Sequence, residues 1–144
     1  MWLKITGLAL SLAAAIAVGA WRYVERPRVI EGVWLHMFEG SDFFERRSPG
    51  RECELYRDSE RAGWLDYSLA AVDPRYGREH PLPSTGTYRS KHGVWPLDAF
   101  EVRFEGRKRL TPWGGGHMGL WKSEYEVNRM LFVKPIPALT CDVD

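Results

Sequence analysis

The string Gly114-Gly115-Gly116-His117-Met118-Gly119, bracketed by Trp113 and Trp121, is the most unusual in the 144-residue chain. Successive glycines let backbone amides approach a phosphate. Phosphate loops, however, also require a preceding strand, a following helix and, in one class, a Lys followed by Ser or Thr, and that context is missing. The glycines are therefore expected to form a turn or a close backbone crossing before the last strand. His117 is the best candidate for a polar group at the mouth of a barrel, with Trp113 and Trp121 as its ligand-binding neighbours, although an exposed His capping a turn would read the same way.

Other chemistry finds less support. The four histidines, His36, His80, His92 and His117, are scattered, with no H-x-x-x-H and no C-x-x-C, so no metal site and no cofactor is expected. No Ser sits in G-x-S-x-G and neither Cys carries a local signature, so no catalytic residue is assigned. Glu124 and Glu126 share a strand face, as do Glu101 and Glu105, and paired acids serve glycoside hydrolysis. Arg103 lies between the second pair, as on a solvated, charge-balanced strand. An exported hydrolase using such carboxylates or His117 is the alternative function. Tyr88-Arg89-Ser90-Lys91 and Arg107-Lys108-Arg109 would suit single-stranded nucleic acid. With 20 basic against 19 acidic residues there is no net field to attract it, and no nucleic-acid partner is expected.

These groups need elements to hold them, and the N-terminus stands apart. From Ile5 to Trp21 run 17 residues without a charge, after Lys4 and before Arg22, Arg26 and Arg28. The length falls between the apolar core of a signal peptide and the roughly 20 residues that span a bilayer. Val18-Gly19-Ala20 suits a signal peptidase, but Trp21-Arg22 is a poor mature start. Residues 1–28 are expected to form an uncleaved, single-pass transmembrane anchor with the lipid bilayer as partner, and secretion after cleavage is the alternative. The three arginines favour a cytoplasmic body by the positive-inside rule. Cys53 and Cys141 argue the other way: a single well-separated pair in an exported domain is most simply a disulfide closing a long loop, the alternative being two free buried thiols. The expected location is the cell inner membrane with the body in the periplasm.

Residues 29–144 form the second unit, and their dominant period is two. Phe100, Val102 and Phe104 alternate with Glu101, Arg103 and Glu105. Leu65, Tyr67, Leu69 and Ala71 alternate with Trp64, Asp66 and Ser68. Val29 to Phe38 is apolar on both faces after Gly32, as in a central strand. Further strands are predicted at Cys53 to Arg57, Thr87 to Lys91 and Tyr125 to Val133, where Arg129 on the apolar face implies a bulge or a buried Arg stem. Turns are predicted at Glu39-Gly40-Ser41, Ser48-Pro49-Gly50 and Glu105-Gly106-Arg107, and a long loop at Asp73 to Gly86. Some six strands in this length predict a mainly β body: a small antiparallel barrel, OB-like first, lipocalin-like or a sandwich second.

The strings Phe38-Glu39-Gly40-Ser41-Asp42-Phe43, Trp64-Leu65, Phe100 to Gly106 and Gly116 to Glu124, in that order, resemble those of a group of small bacterial secreted or lipid-anchored β-proteins of uncharacterised function. In that group a Gly-His-small-Gly-aromatic string precedes a final strand. The chain departs from the pattern in having no Cys after the apolar run for lipid attachment, and in placing Glu45 to Glu52 between Phe43-Phe44 and Cys53. The resemblance implies no catalytic residues. The function expected is that of a membrane-anchored binding or envelope-interaction module, its partner an envelope protein or a small-molecule ligand.

Overall fold

The structure is a computed structural model and describes residues 2–37, 40–68, 71, 86–137 and 139–142. Helix α1 (Trp2–Val24) precedes β1 (Arg28–Met37), β2 (Gly40–Glu45), α2 (Glu52–Arg57), β3 (Gly63–Asp66), β4 (Gly86–Ser90), β5 (Gly93–Gly115), β6 (Trp121–Pro135) and β7 (Leu139–Asp142). The fold is mainly β, a single seven-stranded sheet in the order β1-β2-β3-β6-β5-β4-β7. The further pairing of β1 with β5 brings five of these strands round into a ring. Within that ring β3 and β6 run parallel, and the other neighbours run antiparallel. β5 is long enough to serve three partners in turn: β4 at its start, β1 in its middle and β6 along its second half.

Side-chain alternation sorts the core into two layers. Ile30 and Trp34 of β1, Phe43 of β2, Leu65 of β3, Phe100, Val102 and Phe104 of β5 and Tyr125 of β6 form one cluster, drawn from every ring strand and therefore inside the ring. Phe43 meets Phe104 and Tyr125 edge-on, with centroids 5.5 and 4.7 Å apart, the geometry that aromatic quadrupoles favour. Val33 and Leu35 of β1, with Phe44, Leu97, Ala99 and Trp121, form the second cluster on the outer face, under Leu55 of α2 and Cys141 of β7. Cys53 and Cys141 lie at disulfide distance, 88 residues apart in sequence, and tie α2 to β7 over this outer layer. Both faces of β1 are thus buried, as its continuous apolar run predicts.

Elsewhere the structure corrects the sequence reading. Cys53 to Arg57 belongs to helix α2, not to a strand. Over six residues Cys53 and Leu55 against Glu52 and Glu54 imitate period two, but acids in the first turn and Arg57 in the last suit the helix dipole. Gly40 and Ser41 open strand β2 instead of turning, and β7 was not foreseen. Gly106 is no turn either: it lies within β5, opposite Arg28 of β1 and Val127 of β6. A Cβ there would sit 2.1 Å from the Glu126 carbonyl oxygen, so glycine permits the strands to cross closely. The irregularity expected around Arg129 is a bulge. The β5–β6 register steps over Asn128 and Leu131, and the exposed Arg129 guanidinium reaches Glu105 at 2.7 Å. The segment 72–85, which holds most of the predicted long loop and His80, lies outside the described residues, as do Phe38 and Glu39.

Among the described residues no helix is long and apolar enough to cross a membrane. Along α1, Leu12, Ile16, Val18, Trp21 and Tyr23 are all exposed. The link to the sheet follows the helix: Leu110 donates its amide to Glu25 Oε1 at 2.9 Å.

The close crossing at Gly106 makes a stability prediction. Gly106→Ala forces a backbone shift at the ring closure and is expected to remove about 1–3 kcal/mol of stability, read as a lower denaturant midpoint. Gly19→Ala, whose new Cβ meets nothing within 4 Å, serves as the control and leaves the midpoint unchanged. Equal midpoints for Gly106→Ala and the parent would mean that β5 and β6 do not approach this closely.

Candidate functional site

Strand β2 carries two polar residues into the interior, one on each side of the sheet. Inside the ring, Ser41 Oγ accepts from Trp34 Nε1 at 2.9 Å and donates to the Leu65 carbonyl at 2.7 Å. Its polarity is fully used in holding β1, β2 and β3 together. Asp42, one residue on, points to the outer face, where Trp121 Nε1 donates to Oδ1 at 2.8 Å. Trp121 is held in turn by Trp64, edge-on at 4.7 Å.

Asp42 is only 5% exposed. Burial pushes its carboxyl up to about 6, against which the Trp121 hydrogen bond acts in the smaller, lowering direction. It borders a cavity of about 480 Å³ lined by Met37, Gly40, Tyr56, Ser59, Glu60, Ala62, Met118, Leu120 and Trp121. That volume lies in the range of small-molecule sites. Tyr56 packs on Tyr88 with centroids 4.7 Å apart; burial, the Tyr88 hydroxyl and the Asp42 charge all raise its phenol pKa, so it stays protonated and can donate. The walls are largely apolar apart from Ser59 and Glu60, with Met118 and Leu120 exposed at 66% and 69%. The site therefore offers an open, largely apolar cleft with a buried carboxylate, Asp42, whose charge changes just below neutral pH, and a second acid, Glu60, in its lining.

The glycine string shapes one rim of this cavity. Gly116 has φ +70°, and a Cβ on it would come within 2.9 Å of both the Trp121 and Trp64 side chains, so the loop lies flat on the paired rings only because the residue is glycine. Its amide donates to the Glu124 carboxylate, which pins the loop to β6. Met118 adopts φ +73°, a left-handed conformation uncommon for a side chain of this size and of a kind that clusters at binding sites.

Of the residues singled out from sequence, Trp121 lies in the cavity wall, while Trp113 is 99% exposed. The two do not come together around one space. The backbone of His117 lies in the short turn between β5 and β6; its side chain is outside the described residues. The paired acids serve the sheet: Glu126 holds Arg107 at 2.7 Å and Glu105 holds Arg129. Tyr88 pairs with Trp95, twelve residues before Arg107 on the same strand. His36 is partly buried, edge-on to Trp34, and its pKa is lowered by burial despite the opposing charge of Asp98. Among the described residues no group of three or more His, Cys, Asp or Glu is placed to hold a metal. Sequence reasoning missed Asp42 and Tyr56. The signal available was Ser41-Asp42 directly before Phe43-Phe44, two polar residues continuous with an apolar run.

Comparison of the chain with protein-family models, curated proteins and solved structures finds no match.

Asp42 makes stability depend on pH in an unusual direction. Its folded pKa, about 6, lies above the ordinary aspartate value of 3.8, so the native state binds the proton more tightly. The stability from this group is full at low pH and is lost as pH rises from about 4 to about 6, on the order of 3 kcal/mol in all. Asp42→Asn keeps an oxygen for Trp121 and removes the charge. It is expected to raise the thermal midpoint at pH 7, with the gain vanishing toward pH 4. A lower midpoint at pH 7 would contradict the burial of an ionised carboxylate.

Proposed function

We propose that the chain is a membrane-anchored, extracytoplasmic binding module with an OB-like barrel, taking a small ligand that has an apolar body and a cationic or hydrogen-bond-donating group. The observation that carries this reading is the buried, weakly acidic Asp42 in the wall of a cavity whose lining also includes Met37, Ala62, Met118, Leu120 and Trp121. A carboxylate kept there opposes folding at neutral pH, and such groups concentrate where ligands are bound.

The ring order supports the OB-like reading. The third and last ring strands pair in parallel, the first pairs with the second and fourth, and ligands of such barrels bind across strands 2–3 and the connections between strands 1–2 and 4–5. Here the strand ends that flank the first connection, Met37 of β1 and Gly40 of β2, lie on one side of the cavity, and Met118 and Leu120 of the connection after β5 on the other. Anchorage is supported by the apolar side chains of α1, exposed to whatever surrounds the helix. An oxidising compartment is supported by the Cys53–Cys141 pair.

Two probes of equal shape test the pocket: phenethylamine and phenylacetate, titrated into the full chain in detergent micelles. Phenethylamine is expected to raise the thermal midpoint more at pH 7.5 than at pH 5, and to lose that effect in Asp42→Asn. A larger shift with phenylacetate would overturn the reading. For the anchor, the chain is expected to stay in the membrane pellet through high-salt and alkaline washing, and release would refute it. Alkylation of the intact chain before reduction is expected to leave Cys53 and Cys141 unmodified; labelling of both would refute the oxidising compartment.

A further inference from the structure

A second crevice, of about 420 Å³, opens at the other end of β2, where α1 meets the barrel, and its chemistry differs from that of the Asp42 cavity. Arg28, Arg46, Arg47, Arg61 and Lys108 line it against a single acid, Glu45. Glu45 is already engaged: Arg28 reaches it at 2.5 Å, Arg46 at 3.9 Å and Lys108 at 4.0 Å, and the Tyr125 hydroxyl donates to it at 3.1 Å. Five cations gather around this one carboxylate in the crevice, and Arg61 also has Asp58 beside it at 3.4 Å. In a chain whose formal net charge is only +1, this accumulation is local. The Arg46 side chain is 85% exposed, so its guanidinium can turn to a ligand.

Position says which anion fits. Tyr23, on the last turn of α1, lines the same crevice, and Arg26 lies over its ring at 4.1 Å from the centroid. The crevice therefore stands at the end of an exposed apolar helix, the level of the phosphates if that helix lies in lipid. We infer that this crevice binds the phosphate headgroup of an anionic phospholipid, with Arg46 and Arg47 as the principal contacts. Guanidinium forks pair with phosphate oxygens in two-point geometry, and cations at an anionic membrane surface each add to retention. The inference rests on the membrane reading of α1.

The test uses the full chain in dodecyl maltoside micelles, titrated with dioctanoyl phosphatidylglycerol, dioctanoyl phosphatidylcholine or inorganic phosphate, with binding read by native mass spectrometry. One phosphatidylglycerol per chain is expected, at least fivefold tighter than phosphatidylcholine. The paired substitution Arg46→Gln with Arg47→Gln should weaken it about tenfold or more. Arg89→Gln, on β4 and exposed, should leave it unchanged. Equal retention of the two lipids, or undiminished binding by the double variant, would overturn the inference. Displacement of phosphatidylglycerol by equimolar inorganic phosphate would make this a free-anion site and overturn the lipid assignment. Release from membranes by alkaline washing would fail the anchor alone, because the headgroup comparison is made in micelles.

Discussion

The pairing of β1 with β5 is the constraint on which the rest of the structure depends. It runs in unbroken register from Arg28 opposite Gly106 to Met37 opposite Leu97. Without it, β1 would be the edge of an open sheet, presenting unpaired amides and carbonyls to a neighbouring chain. With it, Ile30 and Trp34 acquire an enclosed interior, and Val33 and Leu35 are turned outward where they must be covered. Closure thus creates a second problem while solving the first. The cover comes from α2 and β7, which are too short to pack stably alone and are linked through Cys53 and Cys141. By the chain-entropy argument, a link across 88 residues contributes on the order of 4 kcal/mol, chiefly by restricting the unfolded chain.

The cover leaves a gap at Asp42, and there the cavity lies. Between α2 and the β5–β6 connection, Asp42 and Trp121 face a space that no side chain of the described chain fills. A sheet optimised for stability alone would place an apolar residue at 42, as it does at Phe44 two positions on. Instead a carboxylate is retained with a Trp indole as its hydrogen-bond donor. The inner face shows the contrast: Ser41 is as buried as Asp42, yet both its donor and its acceptor capacity join neighbouring strands. Ser41 is explained by architecture. Asp42 is not, which is why the site is placed at Asp42.

What could be read from the sequence follows from which forces act locally. β1, the middle of β5 and β6 announce themselves because each has a face set by burial, and the Arg129 anomaly allows a bulge or a buried Arg stem, of which the structure has the bulge. Period two failed at Glu52 to Arg57 because six residues are too few to separate alternation from a helical face. It failed at β2 because Ser41 and Asp42 are polar for reasons that lie in Trp34, Leu65 and Trp121, each distant in sequence. Gly106 and Gly116 were recognised as special, but whether a glycine serves a turn, a strand crossing or a bed for aromatic rings is decided by its neighbours in space. The candidate site suffered most. Trp121 was legible as an aromatic beside an irregular loop, whereas its partner Asp42 lies 79 positions away, and the two meet only because β3 pairs with both β2 and β6.

The two sites also stand in a definite relation through β2. Its first residues border the Asp42 cavity and its last, Glu45, organises the basic crevice; on β1 the same polarity runs from Met37 at the cavity to Arg28 at the crevice. Nine residue steps of extended strand separate Met37 from Arg28, about 30 Å at roughly 3.3 Å each. Because α1 leads into β1 at Arg28, whatever holds the helix also fixes the crevice end of the strand ring against it and directs the cavity end away. Phe44, between Asp42 and Glu45, is buried under the outer cover, so the carboxylate at one end and the cations at the other are kept apart by apolar packing. Asp42 can thus remain weakly acidic in a desolvated setting within a few residues of a strongly cationic surface. Were that packing lost, water would reach the carboxyl and return it toward its ordinary pKa, and the cavity would lose the feature that distinguishes it.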